Sequence, residues 1–251
     1  MSERNHELTM FEAYGSLAEE IETPILIAGR NLQHIHQLDY TISDICSKLL
    51  PESGDRLLEI GCNIGLLLNP ISKLVSDAVG LDHSKLIDLY KNKGTPENVT
   101  LKEGEWPKKI IDGCFDCILV YDVLHLVPTV EEAVKFIEAC YPKLKSGGRL
   151  LLGDLPNRDM HKRYQSTDFG KKLAFDYEKE RNKERQNREN ESQYRTEILA
   201  DANFESYIDD EFVFSIIQSA RREHLHAFVL PQPENLPFCY SREDILIVRP
   251  K

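Results

Sequence analysis

Arg56-Leu57-Leu58-Glu59-Ile60-Gly61-Cys62-Asn63-Ile64-Gly65 is the stretch on which the reading of this chain turns. Residues 56–60 form a short, mostly apolar run of the kind that a strand buried on both faces of a parallel sheet requires. Glu59, Gly61 and Gly65 then follow at Glu-x-Gly-x-x-x-Gly spacing. The glycines let the backbone turn sharply and approach a ligand with no Cβ in the way. A helix is predicted over 65–76. Strand-glycine-helix turns occur in many α/β proteins, so the flanking sequence has to decide what this one does.

Moving outward, strands and helices alternate: strand 77–82, helix 84–92, strand 98–103, strand 116–121, helix 130–143 and strand 149–154. That rhythm implies a parallel α/β sheet. Before the glycine loop, apolar positions 32, 35, 38, 42, 45 and 49 keep helical spacing, which predicts an amphipathic helix over 31–50. Residues 1–30 read as an arm over the domain. After Asp154 the rhythm breaks. Residues 178–193 hold no apolar residue and carry five charges of each sign, which fits either a solvated helix or a segment that closes over substrate. A helix is predicted over 194–202, a strand within 205–217, looping chain over 217–242 and a final strand from Glu243.

Length and composition set limits. The 251 residues, 41% hydrophobic, suffice for one domain with a real core. Its parts are read as a helical arm (1–50), a core (51–155), a helical insertion (156–193) and a C-terminal helix with a hairpin (194–251). A net charge of −11 disfavours general affinity for nucleic acid or an anionic membrane. No apolar segment reaches spanning length and the start lacks a signal-peptide core, so a cytoplasmic protein is expected. The six scattered cysteines read as reduced thiols. Cys114-Phe-Asp-Cys117 has metal-like spacing but no second pair, and no metal site is assigned.

Three features line up with the loop. Asp82 ends its strand 23 positions after Glu59, where a carboxylate accepts the two hydroxyls of a ribose. Glu105 and Trp106 follow the third strand, and Tyr121-Asp122-Val-Leu-His125 ends the fourth. All these tips fall at the carboxyl edge of one sheet, where doubly wound folds bind ligands. A nicotinamide site is disfavoured, because Asn63 and Leu66 stand where Gly-x-Gly-x-x-Gly needs glycines.

With those pieces in place the chain resembles the class I S-adenosylmethionine-dependent methyltransferases of small-molecule type. Leu58 to Gly65, Val79 to Ser84, Phe115 to His125 and Leu144 to Leu150 occur in that family's order and spacing. The resemblance implies a Rossmann-like three-layer sandwich with a seven-stranded, mostly parallel sheet and an antiparallel C-terminal strand. It implies S-adenosylmethionine as cofactor, bound by Glu59, Gly61, Cys62, Asn63, Gly65, Asp82, His83, Glu105, Trp106, Tyr121 and Asp122, and Tyr14 of the arm is expected to add an aromatic contact as the arm closes over the site. Asn63 replaces a glycine usual in the family, and Asn tolerates the left-handed conformation better than other side chains.

The expected reaction is methyl transfer to a small molecule, oxygen ahead of nitrogen. The alternative is an inactive cofactor-binding or partner subunit. His125 and Asp154 are the candidate bases for a hydroxyl acceptor. Asp122 and Asp154 resemble the carboxylates of metal-dependent O-methyltransferases, but no amide follows Asp154 as it does there, and no metal is expected. The fourth strand lacks the Pro-Pro-Tyr ending of base-modifying relatives, so nucleic acid is not an expected partner. Arg158, Arg163 and Tyr164 lie where the acceptor would be selected. Oligomeric state is left open.

Overall fold

A computed structural model describes residues 9–21, 23–28, 30, 32–187 and 207–251. Its centre is a seven-stranded sheet: β1 (Arg56–Ile60), β2 (Asp77–Asp82), β3 (Val99–Glu103), β4 (Phe115–Tyr121), β5 (Leu144–Pro156), β6 (His226–Pro231) and β7 (Arg242–Val248). The strand order is β3-β2-β1-β4-β5-β7-β6. β1 to β5 run parallel, and β7 pairs antiparallel with both β5 and β6. The chain leaves β1 toward β2 on one side and meets β4 on the other, so the order reverses at β1. Such a switch point opens a crevice at the carboxyl ends of the strands.

Helices cover both faces, as the period-2 alternation of the strands demands. Leu58, Ile118, Leu152 and Ile245 face a core shared with α6 (Val130–Glu138) and α9 (Asp210–Arg222). Their neighbours Leu57, Leu119, Leu151 and Leu246 face a second core built with α3 (Leu38–Leu49), α4 (Leu68–Ser72) and α5 (Ser84–Lys93). The arm forms α1 (Met10–Glu20) and α2 (Pro24–Ile27), and it seats Leu17, Ile21, Ile25 and Ile27 against Ile64 and Leu86. After β5 come α7 (Arg158–Gln165) and α8 (Asp168–Asn187). No described helix is long and apolar enough to cross a membrane.

The C-terminal third departs from expectation. The strand expected within 205–217 is a helix, α9. Asp209 caps it by accepting the Phe212 N–H at 2.8 Å. Phe212, Val213, Ile216 and Ala220 are its buried residues, at helical spacing that outweighs the β propensity of an aromatic and β-branched run. The sixth strand instead lies inside the expected loop, at His226–Pro231. It forms the sheet edge, largely exposed on both sides, so no clean alternation marks it in the sequence. Smaller shifts also occur. The helix after the glycine loop is only α4, β5 begins at Leu144 rather than 149, and the helix expected over 130–143 ends at Glu138. The helix expected over 194–202 lies outside the described residues, as does the end of the charged segment beyond 187.

Candidate cofactor site

The loop after β1 is tied to the end of β2. The Gly61 and Cys62 N–H groups both donate to the Leu81 carbonyl, at 2.8 and 3.2 Å. Gly61, Asn63 and Gly65 all take positive φ, at 83°, 48° and 83°. At Gly61 a Cβ would sit 2.3 Å from Val123 Cγ2, and at Gly65 one would enter the Tyr90 ring, 2.2 Å from its Cζ. Asn63 holds the left-handed turn with its own side chain, whose Oδ1 accepts the Ile64 N–H at 2.8 Å. Its backbone N–H donates to Asp82 Oδ2 at 2.6 Å.

These strand tips enclose a cavity of about 370 Å³. Glu59, Gly61, Cys62, Asn63, Asp82, Glu105, Trp106, Tyr121 and Asp122 line it, and Met10, Phe11, Tyr14 and Arg30 close it from the arm. Two buried acids dominate its floor. Glu59 is 2% exposed, and among the described residues its Oε2 has no hydrogen-bond partner. Burial, reinforced by the negative charge of Asp82, raises its carboxyl to about 8, against an opposing pull from Arg30. Asp82 is raised to about 6 by burial, although the His83 and Asn63 N–H groups oppose this by donating to it. Two acids desolvated this way call for a ligand that brings hydroxyls or positive charge.

Of the expected cofactor residues, Gly65 and His83 do not line the cavity. Gly65 packs on Tyr90. His83 caps α5 by accepting the Lys85 N–H at 3.2 Å, and its ring sits 5.0 Å from that of Phe11. Trp106 borders the cavity but is a core residue as well; its indole N–H donates to the Phe136 carbonyl at 2.9 Å. Glu105 is paired with Lys108 at 2.6 Å.

The candidate bases behave differently from one another, and neither lines the cavity. Asp154 is engaged: Arg242 Nη1 lies 2.6 Å from its Oδ2, and Gln232 Nε2 donates to its Oδ1 at 3.2 Å. Asp122 does line the cavity, in a left-handed conformation with φ of 59°. Arg242 donates to its Oδ1 at 3.0 Å, and His125 Nε2 lies 3.7 Å from the same atom. Burial pushes the Asp122 carboxyl up, but Arg242, His125 and Arg30 together hold it below the usual range. Burial lowers the His125 imidazole, with Asp122 opposing and Arg242 assisting.

No described residue of α7 or α8 lines the cavity. Arg158 pairs with Asp209, and Arg163 pairs with Asp210 at 2.6 Å, so both bind the start of α9. Three side chains near the site escaped the sequence reading. Arg30 stacks over the Tyr121 ring at 5.5 Å and makes no hydrogen bond or salt bridge among the described residues. It is a lone cation just after the apolar run Pro24–Ala28, a signal that was available. Arg242 and Gln232 offered none, since their roles depend on contacts with distant strands.

A family model described as a methyltransferase domain matches residues 34–206. The mitochondrial ubiquinone biosynthesis O-methyltransferase of Rattus norvegicus is 31% identical over 112 residues, a stretch covering 41% of this chain and 31% of that protein. The match therefore spans under a third of that relative. The Coxiella burnetii ubiquinone biosynthesis O-methyltransferase is 25% identical over 179 residues, covering 70% of this chain and 73% of the other. Among solved structures, N-methyltransferase NodS from Bradyrhizobium japonicum WM9, in complex with S-adenosyl-L-homocysteine, superposes with a TM-score of 0.61. It is 13% identical, covering 95% of this chain and 99% of its own. Magnesium protoporphyrin IX methyltransferase from Synechocystis PCC 6803, with bound S-adenosylmethionine, gives 0.55 at 15% identity, covering 97% and 92%. At these identities the two structures share the fold.

Proposed function

The chain belongs to the methyltransferase domain family, and from that membership we propose that it transfers a methyl group from S-adenosylmethionine to a small-molecule acceptor, with oxygen favoured over nitrogen. The observation that carries the cofactor reading is the buried acid pair at the glycine loop, with Glu59 Oε2 left without a partner among the described residues. Relatives named for ubiquinone biosynthesis O-methylation support oxygen as the acceptor atom.

The residues present fit this cofactor. Glu59 and the Gly61 backbone would hold the methionine amino group, and Arg30 its carboxylate. Asp82 would accept the ribose hydroxyls, while Glu105 and Trp106 would border the adenine, with Tyr121 and Asp122 near the sulfonium. When bound, the cofactor supplies a methyl group on a sulfonium, open to in-line displacement. The protein's part is to hold acceptor and methyl collinear and to exclude water, which needs positioning more than any single side chain. For a hydroxyl acceptor, Asp122, kept ionised by Arg242, would orient the O–H. His125, which burial keeps neutral and which lies outside the cavity 3.7 Å from Asp122 Oδ1, would receive the proton through that carboxylate. Asp154 is left out of this role because Arg242 and Gln232 already occupy its oxygens.

Asp82→Ala is expected to weaken S-adenosylhomocysteine binding by about 1–3 kcal/mol, since two hydroxyls lose their acceptor. Calorimetry on a variant with native circular dichroism checks this. Affinity within error of the wild type would remove the ribose assignment.

Affinity should also depend on pH. The Glu59 carboxyl stands at about 8 instead of the ordinary 4.5, so the folded, ligand-free protein keeps it protonated. The stability gained from that is full below 4.5 and is lost as pH rises through about 8. A cationic ligand favours the ionised acids, so binding should release protons and tighten as pH rises from about 6, where Asp82 titrates, to about 8. Calorimetry in buffers of different ionisation enthalpy reads the proton count. Zero release across this window would contradict the assignment of the amino group to Glu59.

A further inference from the structure

We propose that Asn63 and His83 latch the N-terminal arm onto the floor of the cavity and act as positioning residues for the closed arm. Both are joined to one carboxylate. The Asn63 N–H donates to Asp82 Oδ2 at 2.6 Å, and the His83 N–H donates to Asp82 Oδ1 at 2.7 Å. From there each side chain reaches the arm. Asn63 Nδ2 donates to the Ile27 carbonyl at 3.1 Å, at the end of α2. The His83 ring lies beneath α1, where a Cβ on Gly15 would fall 2.4 Å from its Cε1, and where Phe11 packs on it. Gly15 is thus the point at which α1 makes room for the imidazole.

The arm also has an apolar anchor in Leu17, Ile21, Ile25 and Ile27 against Ile64 and Leu86. Apolar burial is non-directional. It holds the arm down without deciding where along the loop the arm rests. The Asn63 amide and the slot over His83 are directional, and they fix the position of Phe11, Tyr14 and Arg30 over the cavity. Glycine at 63 would adopt the φ of 48° more easily. It would not carry the amide, so the latch accounts for a residue that the turn alone does not require. Because both latch residues hold Asp82 through their backbones, a ligand bound to that carboxylate stiffens the arm's two attachments.

The ligand half of this inference rests on the proposed cofactor; the arm half does not. The test is hydrogen exchange on the full chain, free and with S-adenosylhomocysteine, together with stopped-flow binding. Asn63→Gly keeps the turn and removes the amide. Asn63→Asp keeps the turn and the Oδ1 acceptor but has no donor for the Ile27 carbonyl. His83→Ala empties the slot under Gly15. Each should make residues 10–28 exchange about 3- to 10-fold faster in the free protein, in line with the loss of one directional contact. Ligand dissociation should speed up by a similar factor, with association nearly unchanged. Wild-type exchange in the arm of both Asn63 variants would overturn the latch. Faster arm exchange in the variants of a wild type that binds no S-adenosylhomocysteine would leave the latch standing and overturn the cofactor reading instead.

Discussion

Gly61→Val should abolish cofactor binding, with a loss of at least about 100-fold, while the protein still folds. Two obstacles meet at this position. The backbone sits at a φ of 83°, where a β-branched residue is strained. A Cβ there would also lie 2.3 Å from Val123 Cγ2, and the methyls beyond it have nowhere to go but the cavity that Gly61 lines. Strain and overpacking together should lower stability by about 2–4 kcal/mol. Titration with S-adenosylhomocysteine alongside urea unfolding separates the two effects. Wild-type affinity in a folded Gly61→Val protein would mean that the ligand does not approach this loop.

Lys48→Met should cost about 3–5 kcal/mol of stability at neutral pH, although it lies outside the cavity. The Lys48 ammonium is 2.6 Å from Asp44 Oδ2 and 2.6 Å from Asp244 Oδ2, with side-chain exposures of 9%, 5% and 0%. Methionine keeps the apolar stem but leaves two buried carboxylates facing each other without a cation. In the variant Asp244, already raised by burial, loses the cation that pulls it down and should rise further, so the penalty is full above its new value and shrinks as falling pH protonates it. Urea unfolding at pH 7 and pH 5 checks both the size and the sign. A loss below about 1 kcal/mol, or one that grows toward acid, would show that water already solvates this trio. The effect should extend toward the site, because Asp244 Oδ1 also accepts the Asp154 N–H at 2.9 Å. Asp154 in turn holds Arg242, which holds Asp122.

Much of the sheet was legible because its central strands are buried on both faces and therefore appear as short apolar runs. β1, β2 and β4 were placed within a residue or so, and the loop and strand-tip residues follow directly from where those strands end. Glu59, Gly61, Asn63, Asp82, Tyr121 and Asp122 come together in one cavity because parallel strands must finish at a common edge. β6 was misplaced for the opposite reason. At an edge, with Phe228 50% and Val229 37% exposed, neither face imposes an alternation that a reader could detect. The aromatic, β-branched run in α9 then attracted the strand assignment that belonged to β6.

The sequence by itself determined the parallel α/β core, the glycine loop and the acids at the strand tips, since each is a matter of local periodicity and of residues adjacent to a strand end. Tertiary structure alone decided what those tips are free to do. Asp154 reads as a base from its position, yet Arg242, on the antiparallel strand 88 residues away, occupies it. Lys48 is a charged residue of α3, yet it is buried between Asp44 and an aspartate 196 residues later. His83 reads as a ligand contact, yet the arm lies across it. Spacing along a chain encodes which face a residue presents. Which distant charge neutralises it, and which segment covers it, follow only once the sheet order has brought the ends of the chain together.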